Sequence, residues 1–386
     1  MLARLFIATR ARLTGGLFLL ALALGAPLPA TAFETAARAA IVIDHRSGDV
    51  LFAKNPDERL PPASMSKLMT AYMVFARLKE GSLRLDDEFP VSEKAWRTGG
   101  SKMFVKVGDR VTVDDLLRGV IVQSGNDACI VVAEALAGSE EAFAERMTRR
   151  ARDIGLANST FKNATGLPDP EHLTTVRDLA TLARTIIAEF PDYYGFYALT
   201  EFEYAGIHQK NRNPLLQAGV PGVDGLKTGH TSEAGYGLVA SAERDGRRLI
   251  LVVAGLESER QRRMEAERLL EYAFRDFQEY RLFAADEAVV EAPVWMGAND
   301  RVGLVPAGPV AVTLSREARD DLVVKLLYDA PVAAPISAGQ QLGRLQLSAP
   351  GLETRDVPLV ASHDVPPAGL LKRVQDAVTH LVGGAS

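Results

Sequence analysis

The stretch from Ser64 to Lys79 constrains this chain most. Pro61-Pro62-Ala63 precedes it and Gly81 follows it, so start and stop signals bracket a helix. Met65, Leu68, Met69, Tyr72, Met73, Phe75 and Leu78 place apolar side chains round most of its circumference. A helix apolar on nearly every side has to be buried on nearly every side. The rest of the chain must therefore build a core around it. With 386 residues, 47% of them hydrophobic and 24% charged, the material for that core is present, and the length fits two or three domains.

The elements around this helix follow from periodicity and turn chemistry. Ala40 to Asp44 and Val50 to Lys54 read as a hairpin closed by Ser47-Gly48-Asp49. Apolar residues recur at the helical period in Val113 to Ile121, Asp127 to Leu136, Glu140 to Ile154 and Thr175 to Ala188. Strand signals return at Glu201 to Ile207, Val223 to Thr228, Gly235 to Glu243 and Arg248 to Gly255, the last two joined at Asp245-Gly246. A further helix fits Arg263 to Gln278. Strands at both ends of a helical middle predict an α+β domain with an antiparallel sheet flanked by helices. From about Leu282 short apolar stretches alternate with Gly, Pro and Asp turns, which predicts a small all-β second domain.

The two ends read differently. Arg4, Arg10 and Arg12 precede an apolar run from Leu17 to Leu24, and Ala30-Thr31-Ala32 offers small residues for cleavage. Residues 1–32 are therefore expected to be a signal peptide, with the mature chain starting at Phe33. The first, α+β domain is then expected at 33–281 and the β domain at 282–365. Residues 366–386 are expected to hold a C-terminal amphipathic helix. There Leu370, Leu371, Val374, Ala377, Val378, Leu381 and Val382 share one face that can lie on a membrane surface.

Several function classes fall away. A net charge of −5 provides no general basic field, so no nucleic-acid partner is expected. Cys129 is the only cysteine, and no H-E-x-x-H, P-loop or G-x-G-x-x-G occurs. The expectation is an enzyme with no metal and no cofactor.

Three short motifs carry chemistry: Ser64-Met65-Ser66-Lys67, Ser124-Gly125-Asn126 and Lys227-Thr228-Gly229. S-x-x-K alone arises by chance on the order of once in a chain of this size. Ser159 to Lys162 is such a decoy, read as surface loop in an Asn-flanked turn, whereas Ser64 opens a buried helix. S-x-N and K-T-G each occur once, and all three stand in order.

The physics of the set is direct. Residues three apart on a helix share a face, so Ser64 and Lys67 can meet. A serine hydroxyl needs a base, and a lysine is a base only when neutral. Burial and a second cation both lower its pKa, and the sequence points to Lys227 as that cation. Ser124 can relay a proton to a leaving amine. Asn126 can hold Lys67 and a substrate amide. Lys227 and Thr228 can hold a terminal carboxylate. Gly229, on a strand edge, lets a peptide approach and pair. The His230 backbone N–H can complete an oxyanion site with that of Ser64.

With Pro62-Ala63-Ser64 to Thr70, Gln123 to Cys129 and Asp224 to Thr231, the chain resembles the low-molecular-mass penicillin-binding proteins, serine-type D-alanyl-D-alanine carboxypeptidases. The resemblance spans nearly the whole mature chain, and it includes Asn211-Arg212-Asn213. It implies a two-step reaction on peptidoglycan stem peptides: Ser64 attacks between two D-alanines, D-alanine leaves, and water hydrolyses the acyl-enzyme. It implies acylation of the same serine by β-lactams, Arg212 near the substrate end of the cleft, and an arginine at Arg262 helping to hold the carboxylate. It also implies a loop near the site at about Thr98 to Phe104, and a periplasmic enzyme peripheral to the inner membrane, touching it through the C-terminal helix. The β domain then serves as a spacer. Thr165-Gly166-Leu167 departs from relatives that place histidine before Gly-Leu. Other readings of the same motifs are a DD-endopeptidase cutting cross-links, a class A-like β-lactamase, for which Glu171 is the one glutamate between Ser159 and Asp178, and a non-catalytic β-lactam sensor.

Overall fold

The structure is a computed structural model that describes residues 33–370 together with Lys372 and Val374. The expected signal peptide at 1–32 lies outside the described residues, as does most of the expected C-terminal helix.

Five strands form one antiparallel sheet: β1 Ala39–Asp44, β2 Val50–Lys54, β3 Val223–Thr231, β4 Gly235–Arg244 and β5 Arg247–Leu256. Their order is β2-β1-β5-β4-β3, so β3 is an edge strand. All six residues of β1 are buried, and the helices Val176–Glu189 and Glu259–Asp276 pack on the sheet. Covering both faces accounts for the unbroken apolar runs of β1 and β5.

The Ser64 segment begins as a 3-10 turn, Ala63–Ser66, and continues as helix α1, Lys67–Lys79. Leu68, Met69, Ala71, Tyr72 and Phe75 are fully buried, as an all-round apolar helix requires. The helices beside it start where capping chemistry places them. Thr112, Ser139 and Thr175 each accept the N–H three residues on with the side-chain oxygen.

Two expectations change. Glu201 to Ile207 is not one strand but the first part of a hairpin, Glu201–Tyr204 with Ile207–Lys210, turning at Ala205-Gly206. The helix expected from Arg263 begins a turn earlier, at Glu259, because the Ser258 hydroxyl accepts the Gln261 N–H.

Beyond this region the chain is mostly β. Phe277–Phe283 pairs with Val310–Ser315, and a six-stranded sheet includes Arg301–Pro306, Gln341–Ala349 and Leu352–Ala361. Its own core contains Leu304, Val312, Leu345, Leu347 and Leu359. The expected division at 282 falls inside the first of these strands, whose pairing joins it to the β region from Phe277. Asp49 links the two regions by accepting the Thr313 N–H at 2.7 Å, and Arg355 donates to the Ser47 carbonyl at 2.7 Å. At the far end, the segment before Gly369 is tied to a turn of the β region: Ala368 N–H donates to Met296 O, and Ala298 N–H to Pro366 O, both at 2.8 Å.

Candidate active site

Lys67 organises the site. Its Nζ is buried, lying 2.9 Å from Ser64 Oγ, 2.8 Å from Asn126 Oδ1 and 2.6 Å from the Thr165 carbonyl. Burial pushes the amine down to about 8, with Arg212 adding like-charge repulsion, while Cys129 and Asp127 pull the other way. A neutral amine has two N–H groups and one lone pair. Asn126 Nδ2 donates to Gly99 O at 2.8 Å, which leaves its amide oxygen facing Lys67. The Thr165 carbonyl can only accept. In the neutral form both N–H groups are thus committed, which leaves the lone pair for the Ser64 hydroxyl.

The second motif enters from the turn before the helix Asn126–Ala137. Ser124 adopts a left-handed backbone, φ 58°, and its buried hydroxyl has no hydrogen-bond partner among the described residues. Asp127, fully buried, accepts the N–H groups of Met103 at 2.9 Å, Phe104 at 2.8 Å and Val105 at 3.2 Å. Asn126 N–H donates to Ser101 O at 2.7 Å. The loop from Thr98 to Val105 is thereby strapped over the motif. Arg212 reaches it from the other side, with Nη1 2.6 Å from Ser101 Oγ.

The third motif lies on edge strand β3. Lys227 and Thr228 are buried, and among the described residues Lys227 Nζ donates only to the Thr228 carbonyl, at 3.2 Å. Burial and then the charge of Lys67 hold its amine well below the usual lysine range, with Arg212 and Arg262 adding to the effect. Burial lowers both lysines, and the two amines repel one another across the site.

Gly229 is also needed for a different reason than expected. A Cβ there would stand 2.8 Å from Pro62 O and 3.0 Å from Met65 Cγ. The missing side chain lets the Ser64 turn close on the strand. His230 is exposed and stacks on Tyr236 with ring centroids 3.9 Å apart. Arg262, buried and 5.6 Å over the same Tyr236 ring, continues the row. Arg263 points away, toward Glu267.

The connection after Asp153 supplies a wall. A Cβ on Gly166, φ 80°, would overlap the Ala63 carbonyl. His172, buried, accepts the Lys162 N–H on Nδ1 at 3.3 Å, which leaves Nε2 as the donor to Ser66 Oγ at 2.8 Å. Burial holds this imidazole down to about 4. Ser159, expected on a surface loop, is buried and bonded to Asp178 at 2.7 Å. Glu171 is exposed and paired with Lys162 at 2.7 Å, so it does not face the nucleophile as a β-lactamase general base would.

This geometry can transfer an acyl group from a substrate carrying a carboxylate, because it joins a serine to a buried lysine amine held below its usual range, with a second buried lysine close enough to feel its charge. Comparison with known proteins agrees. Residues 26–258 match the D-alanyl-D-alanine carboxypeptidase family, and residues 277–367 match the C-terminal domain of penicillin-binding protein 5. The chain belongs to the D-alanyl-D-alanine carboxypeptidase family.

It is a serine-type carboxypeptidase with the α+β architecture predicted from its sequence. D-alanyl-D-alanine carboxypeptidase DacC of Escherichia coli (strain K12) is 40% identical over 349 residues, 89% of this chain and 87% of that protein. Penicillin binding protein 5 from Haemophilus influenzae matches with a TM-score of 0.82 at 35% identity, covering 87% of this chain and 99% of that one. Penicillin-Binding Protein D2 from Listeria monocytogenes, solved in its ampicillin-bound form, matches with a TM-score of 0.57 at 30% identity over 62% of this chain and 98% of that one.

In this carboxypeptidase the motifs converge on Lys67, but sequence reading missed what holds them. Asp127, Asn163 and His172 lie in no motif, and Thr165 acts through a carbonyl that every residue type carries. The one available signal was position: Asp127 directly follows Asn126.

Proposed function

We propose that Ser64 is the nucleophile of this carboxypeptidase and Lys67 its base. The observation that carries the reading is the 2.9 Å approach of the buried Lys67 amine to Ser64 Oγ. As Oγ bonds to the carbonyl carbon of the penultimate D-alanine, its proton passes to Lys67 Nζ. The Ser64 and His230 backbone N–H groups take the developing oxyanion. Ser124 relays a proton to the amine of the departing D-alanine as the C–N bond breaks. Water then attacks the ester and restores the Ser64 hydroxyl.

Asn126 orients the substrate amide, and Gly229 gives the peptide its place along the β3 edge. Lys227, Thr228, Arg212 and Arg262 draw in the terminal carboxylate. The burial of Lys227 and Arg262 supports that assignment: Lys227 pairs with no acid among the described residues, and Arg262 has only the exposed Glu259 at 3.6 Å, so both gain from a substrate anion. β-Lactams, which the Listeria relative binds as ampicillin, acylate the same serine in this reading.

The reading extends to place. We infer a periplasmic enzyme held at the outer face of the inner membrane, with residues 366–386 as contact and the β region that begins at Phe277 as spacer. Among the described residues no helix is long and apolar enough to cross a membrane. The residues assigned to the reaction run from Ser64 to Arg262, and none comes from the β region.

The test is release of D-alanine from a diacetyl-Lys-D-Ala-D-Ala peptide by the wild type and by Ser64→Ala. Release that disappears in the variant is the expected result. Release that survives in Ser64→Ala would remove Ser64 as nucleophile.

A further inference from the structure

The turn after Lys162 contains a side chain that belongs to none of the three motifs. Asn163 Oδ1 accepts three hydrogen bonds: from Thr165 N–H at 3.1 Å, from Thr165 Oγ1 at 3.0 Å and from Gly166 N–H at 2.7 Å. Its Nδ2 donates to Leu167 O at 3.0 Å. The Gly166 N–H and the Thr165 C=O belong to the same peptide unit, and in a trans unit they point in opposite directions. Drawing the N–H onto Asn163 therefore aims the carbonyl the other way, where Lys67 Nζ meets it at 2.6 Å.

The neighbouring units leave this turn little freedom. Thr70 Oγ1 on α1 donates to Ala164 O at 2.7 Å, and Glu140 accepts the Ala164 N–H at 3.2 Å. Gly166 sits against the Ala63 carbonyl with no room for a side chain. The Thr165 carbonyl is thus held at one angle, and the Asn163 amide is the group that holds it.

We propose that Asn163 is a positioning residue for the acyl transfer: by fixing the Thr165 carbonyl as an acceptor for Lys67, it turns the Lys67 lone pair onto Ser64. The inference rests on the reading of Lys67 as base. Without the Asn163 acceptor the unit loses the bonds that set its angle within that narrow range, the Thr165 carbonyl tilts from Lys67, and the lone pair is no longer confined to the direction of the serine. Misalignment of this kind costs about a hundredfold in rate.

The experiment measures acylation of Ser64 by benzylpenicillin, on either side of pH 8, in the full enzyme. The variants are Asn163→Leu, which keeps the volume but removes the acceptor, and Asn163→Asp, which keeps the acceptor and adds a negative charge. Asn163→Leu is expected to acylate about a hundredfold more slowly, with its melting temperature reported alongside. Asn163→Asp is expected to keep the alkaline plateau within about tenfold, with the ascending limb moved to higher pH because a nearby anion favours the ammonium.

Wild-type rate and limb in Asn163→Leu would overturn the proposal. So would an Asn163→Asp variant that loses as much as the leucine variant. Should Asn163→Leu fail to fold, the aspartate variant decides alone: a kept plateau with a shifted limb upholds the proposal, and an unmoved limb overturns it. Acylation that persists in Ser64→Ala would instead strike the reading of the site itself.

Discussion

Gly166 and Ala63 touch backbone to backbone, the glycine standing where any Cβ would overlap the Ala63 carbonyl. The residue that precedes the nucleophile is thereby set by a loop about a hundred positions away in sequence. Gly229 makes a similar close approach, with the Pro62 carbonyl 2.8 Å from where its Cβ would stand. Ser64 is gripped between two glycines, so its position reports on both.

Gly166→Ala should therefore slow D-alanine release by about tenfold or more, since small displacements of reacting groups are costly. Gly155→Ala is the control. It also has positive φ, 85°, but open space where the methyl would stand. That variant should lose about 1 kcal/mol of stability and keep its activity. Equal activity in the two variants would refute the clamp.

The amine of Lys67, at about 8, gives acylation an ascending limb. The base form is the deprotonated one, so the rate should rise as pH climbs through 8 and level off above it. Lys67→Arg, which stays protonated, should lose about a thousandfold or more. The same depressed value has a stability sign. The buried ammonium destabilises the fold fully below pH 8, and this cost fades as pH rises from 8 through 10.5. A flat pH–rate profile would count against Lys67 as base.

His172 should make the fold acid-sensitive. Its folded value of about 4 lies below the ordinary 6.5. As pH falls from 6.5 toward 4 the unfolded chain takes up the proton first, so stability drops across that window, by about 3 kcal/mol in total. Melting curves of His172→Gln should be shallower over the same range. An identical slope in variant and wild type would show that the imidazole is not the cause.

Asp127→Ala should release the Thr98 to Val105 loop. Three backbone N–H groups lose a charged acceptor, at a cost of about 3 kcal/mol or more. Limited proteolysis should then cut within the loop, and KM should rise because Arg212 loses the position of Ser101. Protection equal to the wild type would contradict the strap.

Much of this enzyme was legible in its sequence, for identifiable reasons. The buried helix, the first hairpin and the capped helices at Val113, Glu140 and Val176 follow local rules of period and capping. The three motifs were legible as a set because order and context removed the decoy. The rest depends on who meets whom across the fold. The Glu201–Lys210 hairpin hides because Ala205-Gly206 is a weak turn signal. Ser159 read as surface because nothing near it in sequence announces Asp178. The Thr165 carbonyl and the packing role of Gly229 are backbone facts, and side-chain patterns do not encode them.

Lys227 has a consequence of another kind. It is a buried lysine that no acid among the described residues pairs with, and Ser124 of the second motif holds a left-handed backbone. Both are features a fold would be firmer without. Lys227→Met should raise the melting temperature while abolishing capture of the substrate carboxylate. Variants of this chain selected for heat resistance alone would therefore be drawn toward losing the active site before any part of the scaffold.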